Sequence, residues 1–346
     1  MLRLFAHANY DFIGLRRWAY GLTAAFIVPG FALLLYRGLN YSIEFTGGTL
    51  IQIRTATPVG TGAIRSALEA GGLPGAEIQS FGSETEYVIR ARLSPGAPGP
   101  VDTVAGTQET VAAVERALDT GLGAGRYEVL RTEAVGPKVG RELQERAFIA
   151  ILLSFLVTLA YLAVRFEWRF GVAAVLATAH DIAATIAFIR YLDLEVSLVV
   201  VAAVLTIVGY SLNDTIVIFD RVRENLRKFR RQNLYEILNL SINETLPRTI
   251  LTGGTTMLTA LALAFIAGEV IRPFALVMAF GILTGTFSSI YVAAPVLLWI
   301  ENRWPGEDSR GARLFTGRPA ATAPVPTPAS PSPAAPGAPA RPKAAV

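Results

Sequence analysis

One acidic residue, Asp214, sits inside an otherwise apolar run, in VLTIVGYSLNDTIVIFDRVRENLRKFRR at 204–231. It lies about five residues, roughly 7 Å of helix rise, before Phe219, where the apolar segment ends. A carboxylate at the bilayer centre costs about 2.5 to 3.5 kcal/mol on insertion scales. It persists there where it pairs with a cation, faces a wet cavity, or binds and releases a proton. Arg248 opens the next apolar segment directly after Pro247, and proline suits a first helical turn. Thr252 follows four residues later, on the same face and one turn deeper, where its hydroxyl can hand on a hydrogen bond or a water. Because one connection joins the two segments, Asp214 and Arg248 fall in the same half of the membrane and are geometrically able to pair. Two readings compete there. In the first, low dielectric and a nearby guanidinium act on the acid in opposite directions, so a modest rearrangement decides its protonation. In the second, a static tie between the two residues specifies packing.

A second polar group, His180 and Asp181 near the middle of the preceding apolar stretch together with Asn213, is a candidate secondary proton site or structural polar site. Sequence neighbours point to different helix faces, so one of His180 and Asp181 is expected to face the interior while the other bonds backbone or water. An Asp with Thr and Asn neighbours suits either a proton or sodium.

The rest of the composition removes most alternatives. With 52% hydrophobic and 17% charged residues among 346, and a mean hydropathy of +0.44, the chain reads as a polytopic membrane protein. It has no cysteine, which excludes disulfides and thiolate-held metals. There is no Walker A, HExxH or GxSxG pattern, and His7 and His180 are the only histidines, so ATP hydrolysis and the common hydrolytic chemistries lack their sequence parts and no catalytic role is expected. No cofactor or metal is expected, and no aromatic-interleaved basic surface suggests nucleic acid.

The elements that must position these residues follow from hydropathy. Arg16 and Arg17 precede an apolar run from Trp18 to Tyr36 without a cleavage site, which predicts a retained first span with its N-terminus inside. Residues 37–142 are polar and rich in Gly and Pro, and predict a separate external domain. Its expected order is a strand at 49–54, a helix at 61–71, strands at 76–81 and 86–92, a helix at 108–119 and a strand at 126–134. That order is β-α-β-β-α-β, the ferredoxin-like unit. Its halves form a weak repeat, AIRSALEAGG and AVERALDTGLG, each helix ending in Gly as a C-cap would. SPGAPGP at 94–100 predicts a stiff loop between them.

Five further spans are expected at 147–164, 170–190, 196–219, 249–268 and 274–300, giving a six-helix region whose last five helices occupy 143–303. The inner turns carry Arg165, Arg169, Arg221, Arg223, Arg227, Lys228, Arg230 and Arg231, against only Arg190 and Arg272 outside. The basic run is first an orientation signal and a surface for lipid. Gly281 and Gly285 form a GxxxG suited to helix packing, as do Gly253 and Gly254. The Pro/Ala-rich tail at 304–346 predicts disorder, with both termini in the cytoplasm.

Three stretches together resemble the SecF family of bacterial protein translocation: IVGYSLNDTIVIFDRVREN, then LPRTILTGGTT, and earlier YSIEFTGGTLIQIR. The resemblance covers about residues 10–303. It implies a bacterial inner-membrane protein of the RND superfamily, working with SecD and the SecYEG channel, with YajC as a further associate. It implies use of the proton gradient to draw a translocating preprotein outward. It also implies a proton path through Asp214, Arg248 and Thr252, a group the burial argument reaches separately. The family's outer motif has Asp before Phe-Thr-Gly-Gly, whereas this chain has Glu44 before Phe45, Thr46, Gly47 and Gly48, a longer carboxylate. The readings left beside it are a related proton-coupled exporter of lipid or small molecules, and a non-conducting scaffold subunit.

Overall fold

The computed structural model describes residues 8–91, 104–165, 167–229, 231–268 and 270–304. The proline-rich loop at 94–100 and the tail beyond Trp304 lie outside them. The chain begins with α1 (Arg16–Arg37) and a single turn, α2 (Ile43–Thr46), and then enters the small domain. This contains β1 (Gly48–Thr55), α3 (Thr61–Ala70), β2 (Glu77–Phe81), β3 (Ser83–Ala91), α4 (Val104–Leu122) and β4 (Tyr127–Val135). There follow α5 (Pro137–Arg165), α6 (Trp168–Tyr191), α7 (Leu198–Lys228), α8 (Leu234–Ile266) and α9 (Arg272–Ser288). A π-helical turn (Ser289–Ala293) joins α9 to α10 (Ala294–Arg303).

The four strands form one antiparallel sheet in the order β2-β3-β1-β4, the ferredoxin-like arrangement expected from the sequence. Period-two alternation sends Ile51 and Ile53 of β1 and Tyr87 and Ile89 of β3 against Ile64 and Leu68 of α3 and Val114 and Leu118 of α4. The two repeat halves meet where their helices touch. A Cβ on Gly71 would fall 2.3 Å from Cβ of Ala117, and one on Gly121 would fall 2.3 Å from Cβ of Ala67. These glycines therefore permit a reciprocal close approach. The helices end in glycine as expected: Gly71 and the left-handed Gly72 close α3, and the left-handed Gly123 follows the last residue of α4.

Among the described residues six helical stretches are long and apolar enough to cross a membrane, with α9 to α10 counting as one. The core of the bundle is α6, α7 and α9–α10, where half or more of each spanning window is buried, whereas only 22% is buried in α8 and less in α1 and α5. Close packing of α9 on α7 depends on the GxxxG: a side chain at Gly281 would strike Ile207, and one at Gly285 would strike Ser211. Below them, Phe170 and Phe219 meet edge to face at 5.2 Å between ring centroids.

Several helices outrun their apolar stretches. α5 starts at Pro137, so the domain boundary expected at 142 falls inside a helix. α8 starts at Leu234 behind a capping box made by Asn233 and Glu236, which leaves Pro247 in the helix interior, not in a first turn. The polar segment between the two apolar runs is thus mostly helix, because capping and amphipathic packing extend a helix beyond the part that hydropathy detects. Two asparagines on this extension hold the N-terminal segment. Asn243 Oδ1 accepts from Tyr10 N at 2.9 Å while its Nδ2 donates to Tyr10 O at 2.9 Å, and Asn239 Oδ1 accepts from Ile13 N at 3.0 Å. Asp11 Oδ1 accepts from Asn239 Nδ2 at 2.8 Å and from Tyr235 Oη at 2.5 Å.

All four tryptophans are exposed and sit at helix ends remote from the sheet domain. They are Trp18 at the start of α1, Trp168 at the start of α6, and Trp299 and Trp304 at the end of α10.

Candidate intramembrane polar site

The buried stripe of α7 includes Val200, Ala203, Val204, Ile207, Val208, Ser211, Asp214, Thr215 and Ile218, spaced at three and four residues. Helical periodicity therefore turns Asp214 inward, to 3% exposure, and leaves Asn213 off the stripe and exposed. Among the described residues the Asp214 carboxylate accepts one hydrogen bond, a long one from Thr286 Oγ1 at 3.4 Å. Arg248 lies within electrostatic reach of Asp214, yet the two close no ion pair, and Arg248 stays exposed on α8. The pairing that the sequence allowed is thus not closed here. Thr252 turns its hydroxyl back to its own helix, donating to Arg248 O at 2.9 Å.

Other hydroxyls complete this environment. Tyr210 precedes Asp214 by one turn, and its buried Oη has no hydrogen-bond partner among the described residues, nor has Thr249 Oγ1 on α8. Tyr210 and Thr286 meet at Gly253: a Cβ there would stand 3.4 Å from Thr286 Oγ1 and 3.9 Å from Tyr210 Oη. Tyr210 and Thr286 were not singled out from sequence. The available signal was the run of hydroxyl residues, Thr284, Thr286, Ser288 and Ser289, inside the last apolar span.

Asp181 is built differently. It is 1% exposed, and its Oδ2 accepts from Ser211 Oγ of α7 at 2.5 Å and from Ser288 Oγ of α9 at 2.7 Å. Its Oδ1 lies 3.1 Å from His180 Nδ1. The neighbours therefore meet, where separate environments were expected, and the imidazole also stacks on Phe287. Asn213 is not part of this cluster. Next to it, Thr215 and Ser289 share a hydroxyl–hydroxyl bond of 2.8 Å, and Ser289 opens the π-helical turn.

The outer motif occupies α2 and the turn into β1. Phe45 is buried among Ile189, Val196, Val200, Val204 and Ile207. Thr46 Oγ1 donates to Ser42 O at 3.1 Å. Gly47 and Gly48 have φ of 70° and 128°, a conformation side chains resist, so this turn requires glycine. Glu44 Oε2 accepts from Leu198 N, the first residue of α7, at 2.5 Å.

Residues 116–303 match the family described as Protein export membrane protein SecD/SecF, C-terminal, and residues 33–59 match the SecD/SecF GG Motif. The chain is 55% identical over 325 residues to the protein translocase subunit SecF of Gemmatimonas aurantiaca, covering 93% of this chain and 96% of that one. The SecF of Vibrio alginolyticus is 43% identical over 290 residues, covering 83% and 89%. Among solved structures, SecDF from Thermus thermophilus, titled a translocon-associated membrane protein, matches with a TM-score of 0.77 at 37% identity. That match covers 88% of this chain and 40% of the SecDF chain, so this chain spans well under half of its length. A SecDF in a super-membrane-facing form matches at 0.61 and 38% identity, covering 86% and 39%. On this identity and coverage, the chain belongs to the SecF family of protein export membrane proteins.

Proposed function

We propose that this protein assists export of preproteins through a SecYEG channel by coupling a proton gradient to movement, as the SecF-type half of an assembly with SecD. In this reading it resides in the bacterial inner membrane with both termini in the cytoplasm, and YajC is an accessory partner. Asp214 is the group that takes up and releases the proton. Arg248 and Thr252 lie on the path, and no covalent step is catalysed.

The observation that carries the reading is the contrast between burial and coordination at Asp214. The residue is 3% exposed but accepts a single hydrogen bond of 3.4 Å, and its nearest guanidinium is left unbridged on an exposed helix face. An ionised carboxylate in low dielectric is stable only with full hydrogen bonding or a paired cation. Among the described residues Asp214 has neither, so loss or gain of a proton changes the energy of its surroundings strongly. Ionised, it draws Arg248 of α8 toward α7; protonated, it releases that helix. The exposed face of α8, with Arg248, Thr255 and Leu258, supports a partner subunit that completes the site.

The test is reporter-preprotein export in vesicles holding this chain with its cognate SecD, under an imposed proton gradient or, separately, a sodium gradient. Asp214→Asn and Arg248→Met are expected to reduce proton-stimulated export to the unstimulated level while the complex still assembles. Wild-type export by both variants would establish a scaffold role, and stimulation by sodium alone would replace the proton as coupling ion.

A further inference from the structure

We propose that Glu44 is a positioning residue that fastens the sheet domain to the outer end of α7, so that the domain and the helix bearing Asp214 move as one body. The fastening itself stands on geometry alone; its consequence for transport rests on the function proposed above.

A helix leaves its first four N–H groups without partners inside itself. At the start of α7, Ser197 serves as the local cap, its Oγ accepting from Val200 N at 3.3 Å. Leu198 N–H is supplied from elsewhere: its acceptor is Glu44 Oε2 at 2.5 Å, 154 residues away in sequence. Ser42 Oγ donates to the same oxygen at 3.3 Å and holds the carboxylate in place. A negative charge here also meets the positive end of the α7 dipole. Local sequence thus half-caps α7, and the small domain's leading turn completes the cap.

Four further contacts make the junction a built joint. Val196 N donates to Asn40 O at 2.7 Å and Ser42 N donates to Val196 O at 3.0 Å, so Tyr41 and Val196 form a parallel bridge beside the cap. Phe45, the neighbour of Glu44, is buried in the apolar cluster formed by the outer turns of α6, α7 and α9. Gly140 near the start of α5 leaves no room for a side chain, since a Cβ there would come within 2.9 Å of Phe45 O. Arg90 of β3 pairs with Glu195 in the α6–α7 connection, and burial pushes the Glu195 carboxyl up against the pull of that guanidinium. Immediately after Glu44, the Gly47–Gly48 turn delivers the chain into β1, an inner strand of the sheet. A displacement of the sheet is therefore passed to Leu198, and from there along about 24 Å of continuous helix to Asp214.

The absence of cysteine in the chain makes a direct test available. In the complex with its SecD, Glu44→Ala, Glu44→Gln and the pair Tyr41→Cys with Val196→Cys in the Glu44→Ala background are compared. Bridge partners have Cα separations that a disulfide spans. Hydrogen–deuterium exchange over the first turn of α7 is expected to quicken about tenfold in Glu44→Ala, and less in Glu44→Gln, which keeps an acceptor oxygen. Gradient-driven export falls several-fold at unchanged membrane level, oxidation of the cysteine pair restores it, and reductant removes the restoration. Unchanged exchange in Glu44→Ala overturns the proposal, as does a disulfide that forms without restoring export. If Asp214→Asn exports like wild type, the proton reading fails separately, and the exchange measurement still decides whether Glu44 holds the joint.

Discussion

Asp181 and Asp214 are two carboxylates buried in the same bundle, on adjacent packed helices, with opposite coordination. Asp181 collects hydroxyls from α7 and α9 and faces an imidazole, so three spans are tied at one point. Asp214, one turn further along α7 than Ser211, holds among the described residues only the long contact with Thr286. Burial cost alone does not distinguish them, since both are nearly inaccessible. Coordination does: a saturated acid fixes the register of its neighbours, and an under-coordinated one is free to change its charge.

Substitutions ranked by effect separate these roles. Asp181→Ala is expected to do the most damage, because it removes the acceptor of the buried Ser211 hydroxyl, leaves Ser288 Oγ with only Gly285 O, and unties α6 from α7 and α9. A loss of about 3 to 5 kcal/mol is expected, seen as reduced membrane level and a lower melting temperature in detergent. Gly281→Val forces a side chain into Ile207 on the α7–α9 contact that brings Ser211 and Ser288 together, costing about 1 to 3 kcal/mol by the same melt. Asp214→Asn is expected to change that melting stability by less than about 1 kcal/mol, since it gives up one long bond, while removing proton-stimulated export. A melt for Asp214→Asn as damaged as that for Asp181→Ala would erase the comparison.

The smallest effect concerns Asp11, which belongs to neither cluster and lies before the first span. Its burial works against ionisation, but hydrogen bonds from Tyr235, Gly14 N and Asn239, with Arg16 nearby, outweigh it and hold the carboxyl below its ordinary value of 3.8. A lowered value means the contribution is present above 3.8 and is lost as pH falls through the folded-state value. Protection of the N-terminal segment against proteolysis by an acid-active protease should therefore hold at mildly acidic pH and decline only below the ordinary value.

Much of this arrangement was legible in the sequence, for separable reasons. The six apolar stretches and the β-α-β-β-α-β order carry strong periodic signals, and both appear in the structure. That Asp214 lies within an apolar span was legible from its neighbours, whereas its inward turn shows only in the buried stripe of α7. Contacts between distant segments leave no such local trace. Nothing near Leu198 announces that Glu44 completes its cap, and nothing near Asp181 announces Ser288 on another span. The interior position of Pro247 was equally hidden, because proline after a polar segment reads as a helix start, whereas the capping box lies well upstream at Asn233. Glycine was read as closing each helix of the repeat, which it does, but the reciprocal close approach of Gly71 to Ala117 and of Gly121 to Ala67 left no local trace.

The placement of the four tryptophans bears on how the bundle sits in lipid. Indole rings favour the headgroup boundary, and Trp18, Trp168, Trp299 and Trp304 mark that boundary at one end only. The opposite end carries tyrosines instead, Tyr36 at the end of α1 and Tyr191 at the end of α6, so the two boundaries are held by different aromatic anchors. A change of bilayer thickness is expected to be taken up at the tyrosine end, which lacks indoles and where the α6–α7 connection and Glu44 lie.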